Sequence, residues 1–313
     1  MPAYILRRLL SAIPVMLFVA FFVFSLLDLA PGDPAALVAG ENATPDDIAR
    51  IRTTLGLDEP FLTRFAHWVV RLLHGDLGTS LFTGQPVAHM IAQRLEPTFS
   101  LMILTLMLSV AIAVPAGAWA AWRHNRLNDR LIMLGAVFSF SLPAFVVGYL
   151  LAWVFGLTLH WLPVQGYVPL DQGVWASLRT LVLPALALGC VYVGLITRFT
   201  RATLIETLSQ DYIRTARAKG LGNRKILFRH ALKNAAVPIV TVIGSGVALL
   251  ISGTVVTETV FSIPGLGRLT VDAILRRDYP IIQGVILLFS FLYVLVNLAV
   301  DLLYTVFDPR ITY

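Results

Sequence analysis

The sequence predicts an all-α integral membrane protein with six transmembrane helices, a small helical extramembrane region after the first span, and an amphipathic cytoplasmic segment between the fourth and fifth. Three observations carry the prediction. Of 313 residues, 57% are hydrophobic and 13% charged, and the mean hydropathy of +0.78 lies well above that of a soluble domain of this length. The apolar residues fall into runs of about 20 or more, and at 1.5 Å rise per residue such a run spans the roughly 30 Å hydrocarbon core. The positive charge is gathered in short clusters at the ends of those runs.

The net charge of +6 therefore reads as orientation in the bilayer and not as a nucleic-acid surface. Cys190 is the single cysteine and sits inside an apolar run, which excludes an intrachain disulfide or a cysteine-rich metal site and suits a small buried residue. His67, His74 and His89 lack metal-ligand spacing and read as surface or packing residues.

Arg7 and Arg8 precede the first apolar run, residues 9–29. A cleaved leader competes with a span here, but the run exceeds the usual ~7 to 15 residue core and no small-residue cleavage site follows. Pro14 marks a bend in this span. Pro31-Gly32-Asp33-Pro34 stops it, and the chain stays outside hydrocarbon until about Pro97. Within that region Thr44, Pro45, Asp46 and Asp47 read as an N-cap, a proline at the first helical position and acids in the first turn, with Gly56 closing the helix. Phe61, Phe65, Trp68, Leu72 and Leu73 recur at helical spacing between Pro60 and His74, a stripe suited to packing on the bundle more than to a cofactor.

The later spans are 98–119, 131–159, 178–197, 239–260 and 281–307. Pro143 and Gly148 make the third a kinked or tilted helix. Six spans put both termini on one face, which collects 15 of the 24 basic residues and every lysine. By the positive-inside rule that face is cytoplasmic.

The loop between spans four and five is the polar anomaly of the chain, with nine basic residues from Arg198 to Lys233 against only Glu206 and Asp211. It reads as two short helices meeting at Gly220 to Gly222, with Tyr212, Ala216 and Lys219 on one face of the first and Asn223 capping the second. A thin Ala/Gly corner flanked by cations suits insertion into a cleft on an acidic partner. It equally suits an interfacial helix held by anionic membrane lipid, and composition does not separate the two.

This stretch resembles the coupling loop of inner-membrane permeases of ABC importers. Asp211-Tyr212-Ile213-Arg214-Thr215-Ala216-Arg217-Ala218-Lys219-Gly220-Leu221 and His230-Ala231-Leu232-Lys233-Asn234-Ala235 are similar to the dipeptide/oligopeptide branch of that family. The wider family consensus has Glu six before the glycine and Pro thirteen after it, where this chain has Arg214 and Lys233. Six further motifs match that branch in order: Pro31–Pro34, Leu55–Asp58, Gly75–Ser80, Glu258–Gly267, Arg277–Pro280 and Asp308–Ile311.

The resemblance implies a layout of a first span within 1–30, a periplasmic region 31–97, a permease core 98–307 holding the coupling loop 198–238, and a cytoplasmic tail 308–313. It implies that Asp211, Tyr212, Arg214, Thr215, Ala216, Arg217, Ala218, Lys219, Gly220, Leu221, His230 and Asn234 couple to ATPase subunits. The chain carries no G-x-x-x-x-G-K-[ST] phosphate loop, so as a non-catalytic subunit it leaves ATP and Mg to two partner ATP-binding subunits on the cytoplasmic face. A homologous second permease and a periplasmic or lipid-anchored solute-binding protein complete the expected set, in the bacterial inner membrane.

Glu258, before the Pro-Gly turn, is expected at the outer gate where a peptide ammonium could be met, with Phe261 and Asn297 also assigned to the path. Asp28 and Asp301 read as water-accessible interface positions, and Gly244, Gly246, Ser252 and Gly253 as a small-residue strip for close helix packing. The expected cargo is a short peptide. Glutathione, nickel chelates or sugars are the alternatives within the family. A stand-alone channel or secondary transporter would call for ionisable pairs at the membrane centre or an inverted repeat, and a membrane scaffold would not need the loop chemistry.

Overall fold

A computed structural model describes residues 2–29, 33–39, 43–54 and 56–307; Pro31, Gly32, Glu41, Leu55 and the tail 308–313 lie outside the described residues. The helices are α1 (Pro2–Leu29), α2 (Pro34–Ala39), α3 (Pro45–Thr54), α4 (Phe61–Leu73), α5 (Val87–Trp122), α6 (Leu127–Ser141), α7 (Ala144–Leu151), α8 (Val174–Leu208), α9 (Asp211–Ala218), α10 (Asn223–Lys225), α11 (Leu232–Asn234), α12 (Ala236–Val260), α13 (Leu266–Arg276) and α14 (Tyr279–Phe307). Wider π turns follow α7 over Ala152–Thr158 and α10 over Ile226–Ala231. No strand occurs among the described residues.

Among the described residues five helices are long and apolar enough to cross a bilayer, and a sixth crossing is formed if α6 and α7 with its π turn are one broken span. The expected kink at Pro143 is therefore a break, with the two pieces bent by 102°. Its cause is local: the proline ring excludes Leu142 from the helical region, and Leu142 is extended at φ −86 and ψ 130. Two spans outrun their expected limits. α5 begins at Val87 and passes through Pro97 and Pro115, and α8 continues to Leu208. α13 is a further helix that the apolar pattern did not announce.

The chain forms two compact units, one from residues within 1–95 and 269–294 and the other from residues within 96–268 and 295–313. In the first, the aromatic stripe of α4 packs on α1, as its spacing predicts. Phe61, Phe65 and Trp68 surround Phe24, whose ring lies 5.2 Å from that of Trp68. Asp28 is paired with Arg64, whose guanidinium also lies over the Phe24 ring at 5.9 Å. Thr44 caps α3 reciprocally: its N–H donates to Asp47 Oδ2 at 3.2 Å and its Oγ1 accepts from the Asp47 N–H at 3.3 Å. Asp278, buried between α13 and α14, accepts the Ser80 hydroxyl and the Leu81 N–H, joining two motifs far apart in the chain.

In the second unit α8 is the central helix, flanked by α6, α7 and α12. Glycine sets several of the approaches. The small-residue strip of α12 packs closely as expected, Gly244 against Val300 and Gly246 against the Tyr192 ring and hydroxyl. On α5, a Cβ at Gly117 would stand 2.7 Å from both the Thr197 carbonyl oxygen and Thr200 Cβ, while one at Gly135 on α6 meets nothing within 4 Å. Gly117→Ala is accordingly expected to cost about 1–3 kcal/mol and lower the Tm of the detergent-solubilised protein. Gly135→Ala should leave Tm equal or raise it, the gain in stability being at most about 1 kcal/mol; equal effects at the two sites would contradict this packing.

Candidate functional site

The basic segment is built on a glycine corner. α9 starts after Gln210, which is extended, and ends where Gly220 takes φ +76, a left-handed conformation that costs glycine nothing. The Gly220 N–H donates to Arg217 O at 2.9 Å and the Leu221 N–H to Ala216 O at 3.2 Å, the paired bonds of a Schellman motif. Gly222 occupies the N-cap of α10 with no side-chain bond, so Asn223 lies inside the first turn and does not cap it as expected. The π turn over Ile226–Ala231 then carries the chain into α11 and α12.

Ile213, Ile226 and Ala231 are fully buried, and with Ala216 they form one apolar cluster with Ala118 and Ala121 of α5, Leu204 of α8 and Ile239 of α12. The inward face of α9 is thus Ile213 and Ala216. The expected face of Tyr212, Ala216 and Lys219 is split: Ala216 is buried while Tyr212 and Lys219 are exposed. The outward surface carries Asp211, Tyr212, Arg214, Thr215, Arg217, Ala218, Lys219 and Gly220, with Leu221 and His230 half-buried behind it. Exposed Asn234 donates its Nδ2 to the Tyr212 hydroxyl at 2.8 Å, tying α11 back to α9. The Asp211–Arg214 pair at 3.3 Å is solvated on both sides and adds little to stability.

A second anchor was hidden in the short basic turn. Asp129, 2% exposed, holds Arg201 of α8 through both oxygens, the second at 2.8 Å from Nη2, and also accepts the Asn125 N–H at 2.9 Å. His124 Nδ1 lies 3.1 Å from Arg201 Nη2. This clamp fixes the start of α6 to the helix that leads into α9. A lone acid among arginines is the only sequence signal for it, and it does not say which arginine answers.

The turn after α12 is organised by Glu258, which is 0% exposed. A buried carboxylate needs donors, and it has them: the Thr98 hydroxyl donates to Oε1 at 2.6 Å and the Arg268 N–H to Oε2 at 3.0 Å. Thr98 Oγ1 in turn accepts the Leu266 N–H at 2.8 Å. A Cβ at Gly265 would fall on the Glu258 carboxyl, and one at Gly267 would stand 2.5 Å from Val255 Cα, which explains both glycines. Phe261 is 2% exposed, lies against Gly148, and accepts the Gly166 N–H on its carbonyl at 3.0 Å. Glu258 and Phe261, expected at the gate, are buried in this structure and support the turn. Asn297 is half-buried on α14. Among the described residues no cluster of His, Cys, Asp or Glu could hold a metal ion.

Residues 113–313 match the family described as "Binding-protein-dependent transport system inner membrane component", and residues 1–102 match the corresponding N-terminal family. A probable peptide ABC transporter permease, y4tP, of Sinorhizobium fredii is 53% identical over 313 residues, covering 100% of both chains. A putative peptide transport system permease of Brucella abortus is 44% identical over 313 residues, again covering 100% of each. The glutathione transport system permease GsiC of Salmonella typhimurium is 44% identical over 310 residues, covering 99% of each. A chain of the MetNI methionine ABC transporter in an inward-facing form shares the fold, with a TM-score of 0.59 at 15% identity over 70% of this chain and 96% of that one.

Glu258→Gln leaves one amide oxygen to serve both the Thr98 hydroxyl and the Arg268 N–H, so one donor loses its acceptor. The expected cost is about 1–3 kcal/mol, read as a lowered Tm of the purified protein. Thr98→Val, which removes the same hub without touching the charge, should act in the same direction, and unchanged Tm in both would show that the turn does not depend on this network.

Proposed function

The chain belongs to the binding-protein-dependent transport family of inner-membrane components, and from that premise we propose that it is the permease subunit of an ATP-driven importer of short peptides. It forms the translocation path with a homologous second permease and is itself non-catalytic. Two ATP-binding subunits, which hold ATP and Mg, dock on its cytoplasmic face, and a solute-binding protein delivers cargo from outside. Residues 31–97 are periplasmic, the loop 198–238 and both termini cytoplasmic, and Asn297 lies along the path.

One observation carries the coupling role: α9 is seated by Ile213 and Ala216 on the ends of α5, α8 and α12, while its cations and Tyr212 face outward. A partner that moves against α9 therefore displaces three spans as one body, the kind of rigid push that switches a bistable bundle. The Schellman corner and the Asn234–Tyr212 bond stiffen the contact. Peptide cargo rests on the end-to-end similarity to peptide permeases, and the similarity to a glutathione permease supports glutathione as the second reading.

Charge reversal at Arg217 or Lys219 is expected to release the ATPase subunits while leaving the buried seam intact. Co-purification at wild-type stoichiometry from both variants would sink the coupling assignment. Uptake of labelled dipeptides, tripeptides and glutathione by a deletion strain carrying the wild-type gene separates the two cargo readings.

A further inference from the structure

Beside the basic segment lies an open cavity of about 530 Å³. Its apolar wall is Val114 of α5, Leu232 of α11, and Ile239 and Val240 of α12; its rim carries Arg229 and Lys233. Both cations are exposed, and neither has an ion-pair partner among the described residues. Arg229 lies in the π turn and Lys233 in α11, and both line the same cavity. Apart from Leu232, the apolar wall belongs to two candidate spans. Val114 precedes the end of α5 at Trp122 by about 12 Å of helix.

We propose that this groove is a binding site for one anionic phospholipid, its phosphodiester on Arg229 and Lys233 and an acyl chain along Val114, Leu232, Ile239 and Val240. An apolar trough with two unanswered cations at its mouth asks for a ligand that is anionic at one end and hydrocarbon at the other. An anionic membrane lipid has that form, and basic pockets beside transmembrane helices are where such headgroups are held. A protein occupant would need both an apolar plug and a carboxylate positioned at the rim. The bound lipid fills the space beside the π turn and braces the coupling segment against the spans. The inference rests on the cytoplasmic placement of residues 198–238 proposed above, but its test in detergent depends neither on orientation nor on cargo.

The test uses the assembled transporter, delipidated in mild detergent and incubated with a phosphatidylglycerol bearing a photoreactive acyl chain or with the matching phosphatidylcholine. Adducts are expected on Val114 or within residues 228–240, with the glycerol headgroup favoured roughly thirtyfold by two cations. R229Q/K233Q should reduce labelling to the choline level, subunit co-purification reporting assembly. Equal labelling by the two headgroups, or labelling unchanged in the double variant, overturns the site, and if that variant fails to assemble the wild-type headgroup ratio alone decides. A benzophenone amino acid in place of Phe228, which is exposed at the same groove, should crosslink to lipid; capture of the second membrane subunit or an ATPase subunit there overturns the proposal.

Discussion

The apolar seam joining Ile213, Ala216, Ile226 and Ala231 to Leu204, Ala118 and Ile239 seats the basic loop on the ends of three spans. Without it the cations of 211–233 would be a solvated patch on a free tether. Fully burying an isoleucine is worth roughly 1.5–3 kcal/mol, so Ile213 and Ile226 together anchor the segment more strongly than its exposed ion pair can. Packing on the spans and exposure to solvent are therefore divided between the two sides of α9. The apolar side is closed, and the charged side is left available.

A second economy recurs away from the seam. Glu258, Asp129 and Asp278 are 0%, 2% and 2% exposed, and each is answered by donors from another part of the chain. Removing carboxylates from water is expensive, and such pairs seldom add net stability over an apolar replacement. What they add is position. Each fixes one turn to one helix, Glu258 the turn after α12, Asp129 the turn before α6, and Asp278 the loop around Ser80.

The spans were legible because apolar runs of bilayer length have few other uses, and the α4 stripe was legible because its aromatic spacing leaves one face to bury. Direction was harder to read. Glu258 shows in the sequence as a polar residue near a turn, but sequence does not say which way its side chain points or which donors answer it. In α9, eight residues long, Tyr212-Ala216-Lys219 and Ile213-Ala216 both fit helical spacing. Only the buried seam distinguishes them. Pro143 announced a bend, but its size depends on how the helix after the break packs. The pairing of Asp129 with Arg201 and of Ser80 with Asp278 joins residues far apart in the chain, which no local pattern encodes. The wider π register after α10 left no local signal either.

The length of α8 has one more geometric meaning. At 35 residues it is a rod about 52 Å long, well beyond the thickness of a bilayer's hydrocarbon. One end is clamped at Arg201 and continues into α9; the other begins after Gly173. A rod of that length tilted by about 5° about one end carries its far end by about 4.5 Å. Under the coupling role proposed above, a tilt of that size begun at Asp211 would move the distant end by about the width of a peptide backbone.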